Sequence, residues 1–251
     1  MNNDLQLGHG PRKVLVLNGW FGSSDDWSAM VDALDLDAFT FVFFDYRGYG
    51  RSMQLDGEFT FDEVARDVTQ LVERLGWERF SLIGHSMGGM AMQRVLLAMP
   101  RRVERMIAIT AVPACGARMD EQRLAMFQKA IQDLETRKAI LNASTGNRLT
   151  KTWIEHMARR SWATSIQKAF GSYLKEWTAQ DFSELVKGNA TPLKVIVGEH
   201  DPSLTAAAME RTWLAWYPNA VLETLPNAGH YPMHEVPLAL AASIQAFLQQ
   251  S

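Results

Sequence analysis

The sequence predicts an α/β fold: a mostly parallel, doubly wound sheet that carries one helical insertion. Three observations lead there. Short β-branched or aromatic runs alternate with helical patterns along most of the 251 residues. Most of the runs are largely apolar, as strands covered on both faces require. One long stretch, Pro113 to Ala190, contains no strand pattern.

The strand runs are Val14–Leu17, Thr40–Phe44, Phe80–Ile83, Arg105–Thr110, Leu193–Val197 and Val221–Leu225. Between the second and third, Thr60-Phe61-Asp62-Glu63 forms a capping box, in which each end residue can satisfy the other's free amide. Behind it, Phe61, Val64, Val68, Leu71, Val72 and Leu75 fall on one helical face, and Gly76 supplies the stop. Met87–Met99 reads as a helix halted by Pro100. Leu238, Leu240, Ala241, Ile244, Phe247 and Leu248 mark a closing helix. Repeated β-α units imply right-handed crossovers and helices on both sheet faces.

Within the strandless stretch, Met119–Thr136, Thr150–Trp162 and Ser165–Trp177 read as helices. The expected organisation is a core of residues 1–112 and 191–251 with a helical cap over 113–190. The cap is rich in large apolar side chains: Met119, Met126, Phe127, Trp153, Met157, Trp162, Phe170 and Trp177. Some must fasten the cap, and others can line a concave apolar site beneath it. Trp153, Trp162 and Trp177 are the expected substrate-binding residues. Arg118, Arg123, Arg159 and Arg160 are read as facing outward, with one able to reach a carboxylate, and uncharged substrates are expected.

Composition excludes several functions. Lys plus Arg is 25 and Asp plus Glu 28, a net charge of −3. A nucleic-acid binder needs concentrated positive charge, and the pairs Arg101–Arg102 and Arg159–Arg160 read only as solvated helix-end charges. The single cysteine, Cys115, rules out an intramolecular disulfide and reads as a buried small residue. The start, Met1 to Asp4, has no basic or apolar leader. The longest apolar stretch, Met106–Cys115, is far short of the roughly 20 residues of a membrane span. A cytoplasmic protein acting on a small molecule is expected.

The chemistry centres on Gly84-His85-Ser86-Met87-Gly88, directly after the Phe80–Ile83 strand and opening a helix. In this nucleophile elbow the serine sits on a strained turn, and the residues two before and two after it must be small. Gly84 and Gly88 meet that need, and Gly89 allows close helix packing. A serine hydroxyl needs a base, and the base an orienting acid. His230 follows the last strand, and Asp201 follows the strand ending at Val197. Glu199 is the rival acid. The order Ser86, Asp201, His230 places all three at the carboxyl ends of strands, where open α/β sheets build their sites. Asp45 and Arg47 read as loop braces, His85 as packing against the nucleophile, and His156 and His200 as surface residues. His230 and His234 have the spacing of metal ligands, but His230 belongs to the triad and no third ligand is near in sequence. No metal and no cofactor is expected.

These segments resemble the α/β-hydrolase superfamily over nearly the whole chain. The resemblance rests on Leu17-Asn18-Gly19-Trp20, Asp45-Tyr46-Arg47-Gly48-Tyr49-Gly50-Arg51-Ser52, the serine elbow, Gly198-Glu199-His200-Asp201 and Gly229-His230-Tyr231-Pro232. It implies an oxyanion hole formed by the backbone amides of Met87 and Trp20. Relatives usually carry His-Gly where this chain has Asn18-Gly19. About thirteen residues precede Val14, too few for the usual leading hairpin, so the sheet is expected to lack a strand. The implied activity is a serine hydrolase, of carboxylesterase type (EC 3.1.1), cleaving an ester or similar acyl bond of a small to medium apolar substrate. The same triad also serves C–C bond hydrolases, lactonases, cofactor-free haloperoxidases and lyases, and some members are ligand receptors. Aspartate-dependent dehalogenases and epoxide hydrolases are excluded by serine at 86.

Overall fold

The structure, a computed structural model, describes residues 4–250; the start at Met1 to Asn3 lies outside the described residues. Seven strands form one sheet: β1 (Asp4–Gly8), β2 (Arg12–Leu17), β3 (Phe39–Phe44), β4 (Phe80–His85), β5 (Val103–Ile109), β6 (Leu193–Gly198) and β7 (Ala220–Leu225). Their order across the sheet is β1-β3-β2-β4-β5-β6-β7. Every pairing is parallel except β1 with β3. All six expected strand runs overlap an observed strand. β3 and β4 are buried along their whole length, which is why their sequences are mostly apolar.

β1 was not among the expected runs. It is an edge strand of half-buried and exposed residues with only Leu5 and Leu7 as apolar anchors, so it lacks the continuous pattern of its neighbours. It pairs antiparallel from Asp4 opposite Phe44 to Gly8 opposite Thr40. One strand thus stands where the sequence left room for no hairpin.

A 3-10 segment, Ser24–Ala33, links β2 to β3, and α1 (Phe61–Arg74) links β3 to β4. α2 (Gly88–Ala98) then leads from β4 to β5. α1 packs on α2, whereas the 3-10 segment packs on the final helix, Pro237–Leu248. The chain moves one way from β2 to β3 and the other way from β4 to β5. Right-handed crossovers therefore put these layers on opposite faces, with the direction reversing between β2 and β4.

The capping box at Thr60 is half formed. Thr60 Oγ1 accepts from the Glu63 amide at 3.2 Å. The Glu63 carboxylate instead accepts from the amides of Glu58 and Phe59, because Phe59 turns with φ of 56° and presents them.

Between β5 and β6 the described chain forms helices and no named strand. They are α3 (Glu121–Lys129), α4 (Leu134–Ser144), α5 (Lys151–Ala163), α6 (Gln167–Ala179) and the short α7 (Ser183–Val186). The expected Met119–Thr136 helix is therefore two helices. Asp133 caps the second by accepting from the amides of Glu135 and Thr136. Two basic residues also differ from expectation. Arg160 turns inward to pair with the buried Asp26, and Arg102 donates to the carbonyls of Trp77 and Glu78. Cys115 is half-buried rather than enclosed. No helix among the described residues is long and apolar enough to cross a membrane.

Candidate active site

The direction of the sheet reverses at the carboxyl ends of β2 and β4, which leaves a crevice between the loops that follow them. Ser86 sits there. It adopts φ of 53°, a left-handed conformation that costs a non-glycine residue of order 1–3 kcal/mol. Its amide donates to the Ile109 carbonyl at 3.0 Å, and its own carbonyl accepts from the amides of Gly89 and Val112. These bonds over-determine the turn. The elbow also needs its glycines: a Cβ on Gly84 would lie 2.5 Å from the Gly88 oxygen, and one on Gly88 would lie 2.4 Å from the Leu17 oxygen.

Ser86 Oγ lies 3.0 Å from Nε2 of His230, and Nδ1 of His230 lies 2.7 Å from Oδ2 of Asp201. Asp201 follows β6. Its other oxygen accepts from the amides of Ser203 and Leu204 at 2.9 and 3.0 Å. Burial works against its charge. The facing imidazole and the amide donors outweigh burial and hold its carboxyl below the usual carboxylate range. Glu199, the rival acid, accepts from the Asn227 amide at 2.9 Å and stands apart from the imidazole's Nδ1.

His85 is buried beside this group, and its Nε2–H donates to the His230 carbonyl at 2.8 Å. Burial pushes its pKa down to about 3, so the ring is neutral at ordinary pH. Asn18 ties two strand ends together. It donates to the Phe44 carbonyl at 2.8 Å and accepts from the Trp27 indole at 2.7 Å. Asp45 accepts from Ser24 and the Arg51 amide, and Arg47 makes a two-pronged bond to Asp67.

The two expected amide donors flank the serine. Met87 precedes α2 as its N-cap, so its amide lies at the positive end of the helix dipole. Trp20 follows Gly19, and a Cβ on Gly19 would lie 3.2 Å from Cβ of Ser86. The loop bearing the Trp20 amide therefore runs directly against the nucleophile. The Trp20 ring stacks on Phe170 at 3.9 Å, and its indole donates to the Phe170 carbonyl.

A cavity of about 90 Å³ opens above Ser86 and His230. Trp20, Phe21 and Tyr231 line it from the sheet side, and Met119, Phe127, Ile140 and Trp177 from the insertion. Trp177 is thus one expected residue found in the wall. Trp153 and Trp162 are corrected: neither is among the lining residues. The phase of α5 sets Trp153 against Tyr231 and His234, with ring centroids 5.6 and 5.7 Å away. Trp162 covers the buried guanidinium of Arg137 at 4.7 Å. Arg123 is exposed, as expected, and also reaches the cavity. It donates to Ser203 Oγ at 2.6 Å. Phe21, Ile140 and Tyr231 were missed. The capping signal at Asp133 marks the helix that carries Ile140.

The sequence profile described as alpha/beta hydrolase fold matches residues 13–237. The chain is 28% identical over 239 residues to the RutD protein of Variovorax paradoxus, named for carbamate hydrolysis, covering 88% of this chain and 87% of that one. It is 27% identical over 210 residues to the bifunctional esterase/perhydrolase DCH of Acinetobacter calcoaceticus, covering 76% of each. An esterase structure from Exiguobacterium antarcticum superposes with a TM-score of 0.89 over 99% of this chain and 96% of that one, at 16% identity.

Proposed function

The chain belongs to the α/β-hydrolase fold family, and from that premise we propose that it is a serine hydrolase cleaving a carboxylic ester or similar acyl bond. One observation carries the reading: Ser86, His230 and Asp201 form a continuous hydrogen-bonded line of 3.0 and 2.7 Å at the mouth of an apolar cavity.

In this reading His230 takes the Ser86 proton as the oxygen attacks the acyl carbon. The developing oxyanion is met by the amides of Met87 and Trp20, donors fixed before charge appears. His230 then delivers the proton to the departing alcohol, which leaves an acyl group on Ser86. Water enters the vacated position, gives a proton to His230 as its oxygen bonds the acyl carbon, and the acid leaves as His230 returns that proton to Ser86 Oγ. Asp201 holds the imidazole in one tautomer and stabilises its cation without accepting its proton. Residues of the helical insertion, Trp177 and Phe127 among them, form the acyl or alcohol pocket, which favours small to medium apolar groups through buried area.

The test is nucleophile replacement with active-site labelling. Ser86→Ala should lower kcat on an activated ester by about 10³-fold or more, and a fluorophosphonate should modify wild-type protein at Ser86 alone. Labelling mapped to another residue, or activity retained in the variant, rejects the reading. A panel of esters, lactones, carbamates and vinylogous diketones then separates ester cleavage from the family's other acyl and C–C chemistries.

A further inference from the structure

The residues on either side of His230 are tied to one buried carboxylate. Glu235, at the end of the short helix Pro232–Glu235, has a side chain only 1% exposed. Its Oε2 accepts from the Gly229 amide at 2.7 Å, and its Oε1 from the Tyr231 amide at 3.0 Å. The carboxylate meets Arg148, whose Nη1 lies 3.0 Å from Oε2. Nη2 of Arg148 donates to the Asn227 carbonyl at 3.1 Å. Arg148 lies between α4 and α5, so this partner comes from the helical insertion.

The backbone of His230 is held by the same two bodies. Its amide donates to the Ser144 carbonyl at 3.2 Å, at the end of α4. Its carbonyl accepts from His85 Nε2 and Thr110 Oγ1 at 2.8 and 3.0 Å. The contact between loop and insertion is close: a Cβ on Gly229 would lie 2.8 Å from Cα of Thr145. Segment 144–148 of the insertion therefore presses directly on the turn that carries the imidazole.

We propose that Glu235 is the positioning residue for His230, and that Arg148 makes the helical insertion part of that holder. The proposal rests on the reading of His230 as the base for Ser86. The physical case is one of geometry over stability. A buried ion pair contributes little net stability compared with well-packed apolar groups. A carboxylate is nevertheless the side chain here that offers one acceptor oxygen to each of two amides flanking a single residue. With both amides and the His230 carbonyl held, the ring can swing only about its own side-chain bonds, and Asp201 fixes that swing. Displacement of a reacting group by 1 Å can cost on the order of 10²-fold in rate, so the holder is kinetically consequential although it touches no substrate. The insertion thus has a second task beside walling the cavity.

The test uses the full chain with Glu235→Gln, Arg148→Met and Arg148→Lys. Gln presents an amide nitrogen, a donor, to one of two backbone donors, so one bond is lost at nearly constant volume. The readouts are the rate of Ser86 modification by a fluorophosphonate, and kcat and KM on p-nitrophenyl butyrate. Glu235→Gln should slow labelling and kcat by about tenfold or more with KM within about threefold, the pattern of a misplaced base and not a damaged pocket. Arg148→Met should act in the same sense but less, because the two carboxylate–amide bonds remain. Arg148→Lys, which keeps the charge, should recover most of that loss. Labelling and kcat within about twofold of wild type in both Glu235→Gln and Arg148→Met would overturn the proposal. A lowered unfolding temperature with unchanged labelling would also overturn it, by showing a brace for the fold alone. If wild-type protein is not labelled at Ser86, the functional reading fails first and is recognisable as a separate failure.

Discussion

Asp201 Oδ2 lies 2.7 Å from Nδ1 of His230, and its Oδ1 is held by the amides of Ser203 and Leu204. Glu199, two residues earlier, spends its carboxylate on the Asn227 amide. The turn after β6 thus gives two neighbouring acids different surroundings: one enclosed against the imidazole, the other at the surface.

Asp201→Asn should accordingly leave the fold intact while presenting the wrong hydrogen-bonding partner to Nδ1. The loss in kcat can reach about 10⁴-fold, as in serine proteases. Glu199→Gln keeps an oxygen acceptor for Asn227 and should cost far less. Steady-state kinetics on one activated ester ranks the two, and the reverse order would move the orienting role to Glu199.

Gly88→Ala should fail on steric grounds. Its Cβ would sit 2.4 Å from the Leu17 carbonyl and 2.9 Å from that of Asn18, both backbone atoms with little room to retreat. Overpacking of this kind costs about 1–3 kcal/mol or more. Because α2 begins at this residue, relief of the clash must also move the Met87 amide and Ser86. A lower urea midpoint together with slowed Ser86 labelling is expected. A variant with wild-type values for both would show that the elbow tolerates a side chain.

The tryptophans of the insertion should separate by position. Trp177 is 5% exposed and lines the cavity, so Trp177→Leu should raise KM or shift acyl chain-length preference. Trp162, exposed and resting on Arg137, should leave the substrate profile unchanged when truncated to alanine. A chain-length series of p-nitrophenyl esters checks both, and a shift with Trp162→Ala but not Trp177→Leu would relocate the pocket.

Stability should decline in mild acid. Burial, with the Arg160 charge and His156, depresses the His234 pKa to about 4, and burial depresses that of His85 to about 3. In the unfolded chain both titrate near 6.5. Between those values the unfolded state binds protons that the folded state refuses, so stability is lost as pH falls from about 6.5 toward 4. Each ring adds a slope of at most about 1.4 kcal/mol per pH unit. His234 Nε2 is buried without a hydrogen bond, although the Asp26 carboxylate stands 4.0 Å away. His234→Phe should therefore remove its share of the slope at little cost in hydrogen bonding. Urea unfolding from pH 7 to pH 4.5 measures this, and an unchanged slope in the variant would show that His234 charges freely in the folded state.

Much of this protein is written locally in its chain. The inner strands announce themselves because burial on both sheet faces demands nearly continuous apolar runs, as in Phe39–Phe44. The elbow is legible because a left-handed serine between glycines is a requirement of one short turn. The order of Ser86, Asp201 and His230 is legible because strand ends in such a sheet converge on one edge. Other features depend on what lies across a contact. β1 carries no such signal because an edge strand is half wet and needs no apolar run. Glu63 was assigned to Thr60 by pattern, but the fold offers it the Glu58 and Phe59 amides instead. Trp153, Trp162 and Trp177 are chemically alike in sequence. Only the rotation of α5 and α6 against the body decides that one lines the cavity while the others rest on Tyr231 and on Arg137. Arg123 and Arg160, read alike as outward charges, part company for the same reason: one stays exposed at the cavity and the other turns in to a buried aspartate. Glu235 reads as an ordinary helix-end acid until the fold brings it beneath the amides on either side of His230, with Arg148 arriving from across the molecule. A side chain's identity is local, but the group it faces belongs to a segment far away in sequence, and only tertiary packing chooses that segment.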